Sequence, residues 1–176
     1  TNAAPWLDKA YYNLGVALRR RLAPRIFARC GRNFKCFQHV EFSYGYNMDV
    51  GDDVVIHRHV LLDDRGGLTL GDRVSVSDYA NIYSHTHSIV DQRDVTNART
   101  VLEDDARITY HATVLAGVRV GRNGMVGANA VATKNVRPYH VNVGIPAKSV
   151  RLKPNAPPET TPTNLLTRQD GESEST

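Results

Sequence analysis

Seven of the 176 residues are histidine. Five of these, His57, His59, His85, His87 and His111, fall in or beside one regular stretch of the chain. An imidazole titrates near neutrality, so a positioned histidine can serve as a general base at working pH. His85 and His87 belong to IYSHTH, immediately before a segment that breaks the regular pattern. A pocket between scaffold and loop is expected there, and His87 is read as the catalytic base. His57, His59 and His85 are read as structural or substrate-contacting groups. Three histidines can also bind zinc, but the repeat places His87 and His111 on different faces and coils. Only symmetric packing of subunits would bring those two together, and no metal is expected.

What positions these side chains is a six-residue ruler. Residues 102–136 divide into blocks opened by Leu102, Ile108, Val114, Val120, Val126 and Ala132. The fifth places hold Ala106, Ala112, Val118, Gly124, Ala130 and Val136. First and fifth places share parity, so an extended chain turns both to one side. The three- and four-residue spacing of an amphipathic helix is missing. Upstream, Val50, Ile56, Leu62, Leu70, Val76 and Ile82 take first place, and Val54, Val60, Gly66, Val74, Ala80 and Thr86 the fifth. Two breaks occur: two extra residues near Gly66-Gly67, and a longer insertion between His87 and Leu102. A six-residue period is the signature of a parallel β-helix. The fold class is all-β, with four coils at 50–67, 70–87, 102–119 and 120–137. That register stacks His59, Tyr79, His111 and Asn129 in one column and puts His87 in the column of Arg119 and Arg137.

Residues 5–22 place Leu7, Tyr11, Leu14, Leu18 and Leu22 on one helical stripe. Pro24 is expected to end this helix, and the stripe to cap the open end of the β-helix, which would otherwise be an exposed sheet edge. Arg19, Arg20, Arg21, Arg25, Arg29 and Arg32 make the helix end and its continuation basic. Their first reading is a solvated face near a helix C-terminus, where the dipole favours cations. Their second is weak contact with an anionic membrane surface or a lipid-linked glycan. Residues 33–49 read as an imperfect, out-of-phase entry coil, and residues 88–101 as a projecting loop, where binding groups collect. The chain should turn away at Pro138 and end in an extended Pro146-Ala147-Lys148 segment. The expected division is a helical segment at 1–32, a β-helix domain at 33–151 with its loop at 88–101, and a disordered or loosely attached tail at 152–176, rich in Pro, Thr and charge.

The formal charge of +4 is modest, and the cations gather at the N-terminus and not along the repeat. Nucleic acid is therefore not an expected partner. Two cysteines, Cys30 and Cys36, suit a reduced protein better than a disulfide framework. No run is apolar enough to span a bilayer and no signal peptide is visible, so a cytoplasmic location is expected. The sequence begins at Thr1 without Met, so a preceding piece is not excluded.

The repeat, the IYSHTH block, the loop and the closing VGIPAKSVR together resemble the hexapeptide-repeat acyltransferases over about residues 44–151. VGRNGMVGANAVATKNVRPYHVNVGIPAKSVR is most similar to their galactoside, maltose and xenobiotic acetyltransferase branch. The resemblance implies that the parallel β-helix is left-handed, and the residues set it between an N-terminal α-helix and an extended C-terminal tail. It implies a homotrimer that binds acetyl-CoA between subunits. The activity implied is O-acetylation of a sugar or glycan hydroxyl, and N-acetylation of an amino sugar stays open.

By the same resemblance His87 deprotonates the acceptor. Ala128, Thr133, Lys134, Lys148 and Arg151 fall on CoA-contacting positions. His57 and Asp64 fall on acceptor-contacting ones, with His57 where the branch has Asn. Arg107 stands where the family often has Trp. Tyr110 stands where it has glycine or serine, beside the pantetheine groove. A γ-type carbonic anhydrase reading is opposed by Ala116, where those zinc proteins carry a second histidine, and by the missing Gln-Asp signature.

Overall fold

The structure is a computed structural model that describes residues 5–91 and 93–160, with side chains from residue 13 onward. After one helix, α1 (Pro5–Ile26), the chain winds into a parallel β-helix of about six turns. Each coil supplies three very short strands, one to each of three faces. The first face stacks Arg29–Cys30, Met48–Val50, Leu68–Leu70, Thr100–Leu102 and Arg119–Val120 in chain order. The second runs from Lys35–Cys36 through Val55–Ile56, Ser75–Val76, Arg107–Ile108 and Met125–Val126 to His140–Val143, and Lys148–Leu152 closes it antiparallel. The third stacks Glu41–Phe42, Leu61–Leu62, Asn81–Ile82, Thr113–Val114 and Val131–Ala132.

The ruler explains the interior. All twelve first-place residues, from Val50 to Ala132, are buried, and so are ten of the twelve fifth-place ones. Gly66 and Thr86 are the exceptions, because the chain leaves the regular path at those two breaks; Leu68 and Thr100 fill the interior there. Each fully buried Val, Leu or Ile contributes about 1.5–3 kcal/mol, and the stack repeats that gain coil after coil.

Corners recur as regularly as strands. Asn33, Asp53, Arg73, Asp105 and Asn123 occupy the first corner with positive φ, and His39, His59, Tyr79, His111 and Asn129 the second. The rings of that second column lie parallel, at 4.6 Å for His39–His59, 4.7 Å for His59–Tyr79 and 4.8 Å for Tyr79–His111. The column expected from the repeat is therefore real and starts one coil earlier. At the first corner, Asp52 and Asp72 each accept the backbone N–H of the coil before, from Arg32 and Asp52 respectively. Gly51 is required there, since a Cβ would lie 2.5 Å from Asp72 Oδ1 and 2.7 Å from the Gly71 carbonyl carbon.

Several expectations need correction. The entry coil is in phase: Arg29 pairs with Asp49, Lys35 with Val55 and Glu41 with Leu61, so coils begin at residue 29. Its inward residues are Cys36, Phe34 and the half-buried Cys30 and Val40, a less aliphatic set that hides the period. Helix α1 continues through Pro24 to Ile26. Leu14, Leu18 and Leu22 do not seal the stack; they are exposed, while Ala23 and Phe27 enter the core and Phe27 meets Phe34 and Phe42 edge-on. Leu7 and Tyr11 lie outside the described side chains.

The insertion is shorter than residues 88–101, because Val95–Asn97 pairs antiparallel with His85–His87 to make a hairpin. Val101, and not His87, takes the column of Arg119. After Pro138 the chain does not turn away but adds His140–Val143 in parallel to Met125–Val126. Residues 152–160 are attached, Lys153 Nζ donating to Asn123 Oδ1 at 2.7 Å. The remaining tail, 161–176, lies outside the described residues.

Candidate active site

The third corner, where the third face passes to the next coil, gathers the polar groups. Asp63 follows Leu61–Leu62, and Ser84 and His85 follow Asn81–Ile82 one coil later. Asp63 is 1% exposed, yet its carboxylate meets three side-chain partners. Oδ1 accepts Ser43 Oγ at 3.0 Å and Arg65 Nε at 2.9 Å, and Oδ2 meets Nδ1 of His85. Burial, the largest single influence, pushes the Asp63 pKa up; the bonds from Arg65, His85 and Ser43 outweigh it and hold the group at about 2. Ser84 Oγ donates to the Asp63 carbonyl at 2.5 Å and accepts the Gly66 N–H at 2.8 Å. The His85 side chain is 10% exposed. A carboxylate on Nδ1 fixes the imidazole tautomer and orientation.

His87 is exposed on the hairpin strand, with Val95 opposite it and its ring edge-on to His85, centroids 5.4 Å apart. His85 and His87 therefore form one edge-on imidazole pair at the root of the hairpin. Thr133 and Lys134 follow Val131–Ala132 at the same corner, two coils further along, both exposed. At the ~4.8 Å spacing of stacked strands that is roughly 10 Å away. Asp64 is fully buried and spends its carboxylate on the backbone N–H groups of Tyr44, Gly45 and Asn47, at 2.7, 2.7 and 3.3 Å. It shapes the 44–47 turn.

The other expected site residues occupy the second corner or the edge beyond it. The His57 ring lies 5.2 Å from Phe37. Ala128 is exposed beside Asn129, and Tyr110 is half exposed, its ring edge-on to Tyr79 and His111. Lys148 and Arg151 are exposed on the closing strand, opposite Val143 and Val141. Within one chain, then, His85, His87, Thr133 and Lys134 share a corner, and His57 and Ala128 do not join them. Among the described residues no group of three or more histidine, cysteine or acidic side chains is arranged to hold a metal ion.

Asp63 escaped the sequence reading. Its signal was present as the first Asp of LLDD, twenty residues before Tyr83 and 22 before His85. With coils of 20 residues on this side of the loop, that spacing sets it directly beneath IYSHTH.

No protein-family model matches the chain. The galactoside O-acetyltransferase of Escherichia coli K12 is 26% identical over 140 residues, covering 77% of this chain and 69% of that protein. A hexapeptide-repeat acetyltransferase from Vibrio cholerae, solved with acetyl-coenzyme A, superposes with a TM-score of 0.72 at 27% identity, over 77% of this chain and 76% of that one. A maltose O-acetyltransferase from Clostridium difficile shares the fold, with a TM-score of 0.70 at 23% identity, over 77% and 74% of the two chains. In sequence and in left-handed coil architecture the chain resembles the hexapeptide-repeat acetyltransferases, close to their galactoside and maltose branch, and it is an acyltransferase.

Proposed function

We propose that the protein transfers an acetyl group from acetyl-CoA to a hydroxyl of a sugar or glycan, with His87 as general base. The observation that carries this reading is the imidazole pair at the hairpin root. His85 is anchored by a buried carboxylate, and His87 beside it is exposed on the hairpin strand. A sugar hydroxyl is a poor nucleophile until a base takes its proton. The His87 ring accepts that proton as the oxygen attacks the thioester carbonyl. The C–S bond then breaks, and the proton passes to the departing sulfur. No acyl-enzyme is needed. The resemblance assigns the oxyanion of the tetrahedral intermediate to a backbone N–H.

Lys134, Lys148 and Arg151 supply exposed cations for the CoA phosphates, with Ala128 and Thr133 flanking its arm. Ala128 and Lys134 lie at opposite ends of one strand, so a complete groove needs a neighbouring subunit. We take that assembly to be a homotrimer and propose that it acts in the cytoplasm. His57 and His85 are read as acceptor contacts. Asp64 reaches the acceptor only through the turn it shapes. N-acetylation of an amino sugar uses the same base and is separated by acceptor choice. A second reading makes His85 the base, because it holds the carboxylate partner.

Both are tested by initial rates of thiol release from acetyl-CoA over a panel of sugar and amino-sugar acceptors. His87→Ala should lose ~100- to 10,000-fold and still bind CoA by calorimetry, while His85→Ala loses far less. A dead His85→Ala beside a nearly normal His87→Ala would select the second reading.

A further inference from the structure

The outer face of α1 serves neither the stack nor the acetyl-transfer site. Leu14, Leu18 and Leu22 are 56, 53 and 49% exposed. At about 100° per residue, Arg21 and Arg25 fall in the same sector as Leu14 and Leu18, and both are exposed. The opposite sector, with Ala23 and Phe27, is the one that packs on the first coil. The apolar surface continues past the helix. Leu22, Ile26 and Phe42 line one small cavity, and Gly45 lies so close that a Cβ would sit 2.6 Å from Ile26 Cγ2. On either side of Gly45, Tyr44 and Tyr46 are exposed and stacked, 5.2 Å between centroids.

Charge decides what covers this face. Arg29 and Arg32 are tied to Asp49 and Asp52, and Arg20 to Asn33. Among the described residues neither Arg21 nor Arg25 is paired with a carboxylate. A twofold pairing of this face with itself would bring more arginine against them, and burying unpaired guanidinium groups is costly. A bilayer has no such conflict. Leucines enter the acyl boundary, arginine stems lie along them with their heads at the phosphates, and tyrosines suit the interface.

We propose that the α1 outer face, with the 44–46 turn, docks the protein on an anionic lipid bilayer. No described helix is long and apolar enough to cross a membrane, so the attachment is to the surface. The proposal does not depend on the acetyl-transfer reading.

The test is flotation of the full chain with vesicles of phosphatidylcholine, alone or mixed with phosphatidylglycerol. The protein should rise with the anionic vesicles only, and less so in high salt. Arg21→Gln with Arg25→Gln should weaken partitioning about twenty-five-fold, at roughly fivefold per charge. Leu14→Ser with Leu18→Ser should abolish it, with circular dichroism unchanged in both double variants. The proposal is overturned if the wild type stays down with both vesicles, or if either double variant partitions normally. It is equally overturned if sedimentation shows an oligomer that Leu14→Ser with Leu18→Ser dissociates, since the face would then join copies of the chain.

Discussion

Asp63 and His85 are joined across one turn of the stack, the buried carboxylate on one coil meeting Nδ1 of the imidazole on the next. Ser43, from the coil before, donates to the same carboxylate. One side chain thus ties three successive coils together at the corner where the hairpin leaves. The pair is at once a structural rivet and the support of the candidate base, and the two roles separate by measurement.

The Asp63 carboxyl stays ionised down to about 2, against 3.8 for the ordinary group, so its pairing stabilises the fold fully above that ordinary value and is lost as pH falls through the window between the two. Asp63→Asn should therefore be less stable than wild type by on the order of 1–2 kcal/mol near pH 6, with the gap closing towards pH 2. Urea unfolding across that range measures it. A gap independent of pH would mean that the ionised carboxylate is not what matters.

Val120 and Val126 are fully buried between stacked coils. An aspartate at either position would place a charge where nothing can solvate or pair it, costing several kcal/mol. Val120→Asp and Val126→Asp should fail to fold, read by loss of the strand signal in circular dichroism. Val126→Ala should remain folded with a lowered melting temperature.

Lys134 and Lys148 are exposed near the C-terminal end of the stack. Their proposed work is ground-state phosphate binding, so Lys134→Ala and Lys148→Ala should raise KM for acetyl-CoA more than they lower kcat. Unaltered CoA affinity in both variants would move the donor groove elsewhere.

Cys36 is buried in the entry coil, and burial pushes its thiol up to about 11. Since the thiolate is the reactive form, Cys36 should resist a disulfide reagent at neutral pH until the protein unfolds. Cys30 is only part-buried and should react first. Mass spectrometry of the labelled peptides distinguishes them.

The interior was legible in the sequence because a first-place aliphatic can face only one way in a coil of three short strands. Val50 to Ala132 needed nothing more than counting. The column of His59, Tyr79 and His111 followed from the same count. The entry coil was not legible: Cys30, Cys36 and Phe42 stand where aliphatics were sought, and their phase shows only in pairing with the coil above. The α1 stripe misled for a different reason. Leucines spaced by four residues define a face, but periodicity does not say whether protein covers it. At the site, His85 and His87 were visible as residue types next to a break in phase. Asp63 was not, because an Asp-Asp pair in a turn looks like solvated surface until the coil length sets it under His85.

The hairpin that carries His87 has a consequence for how such a protein can diversify. Leu68 pairs with Thr100 as though the insertion between them were absent, and the coils on both sides stay in step. Residues 88–94 are thus a removable cassette, hung from a fixed frame beside His85 and His87. Exchanging that cassette for another of different length or charge would change the surroundings of His85 and His87 without disturbing a single rung of the ladder. Selection, natural or in the laboratory, can vary that segment with little risk to folding.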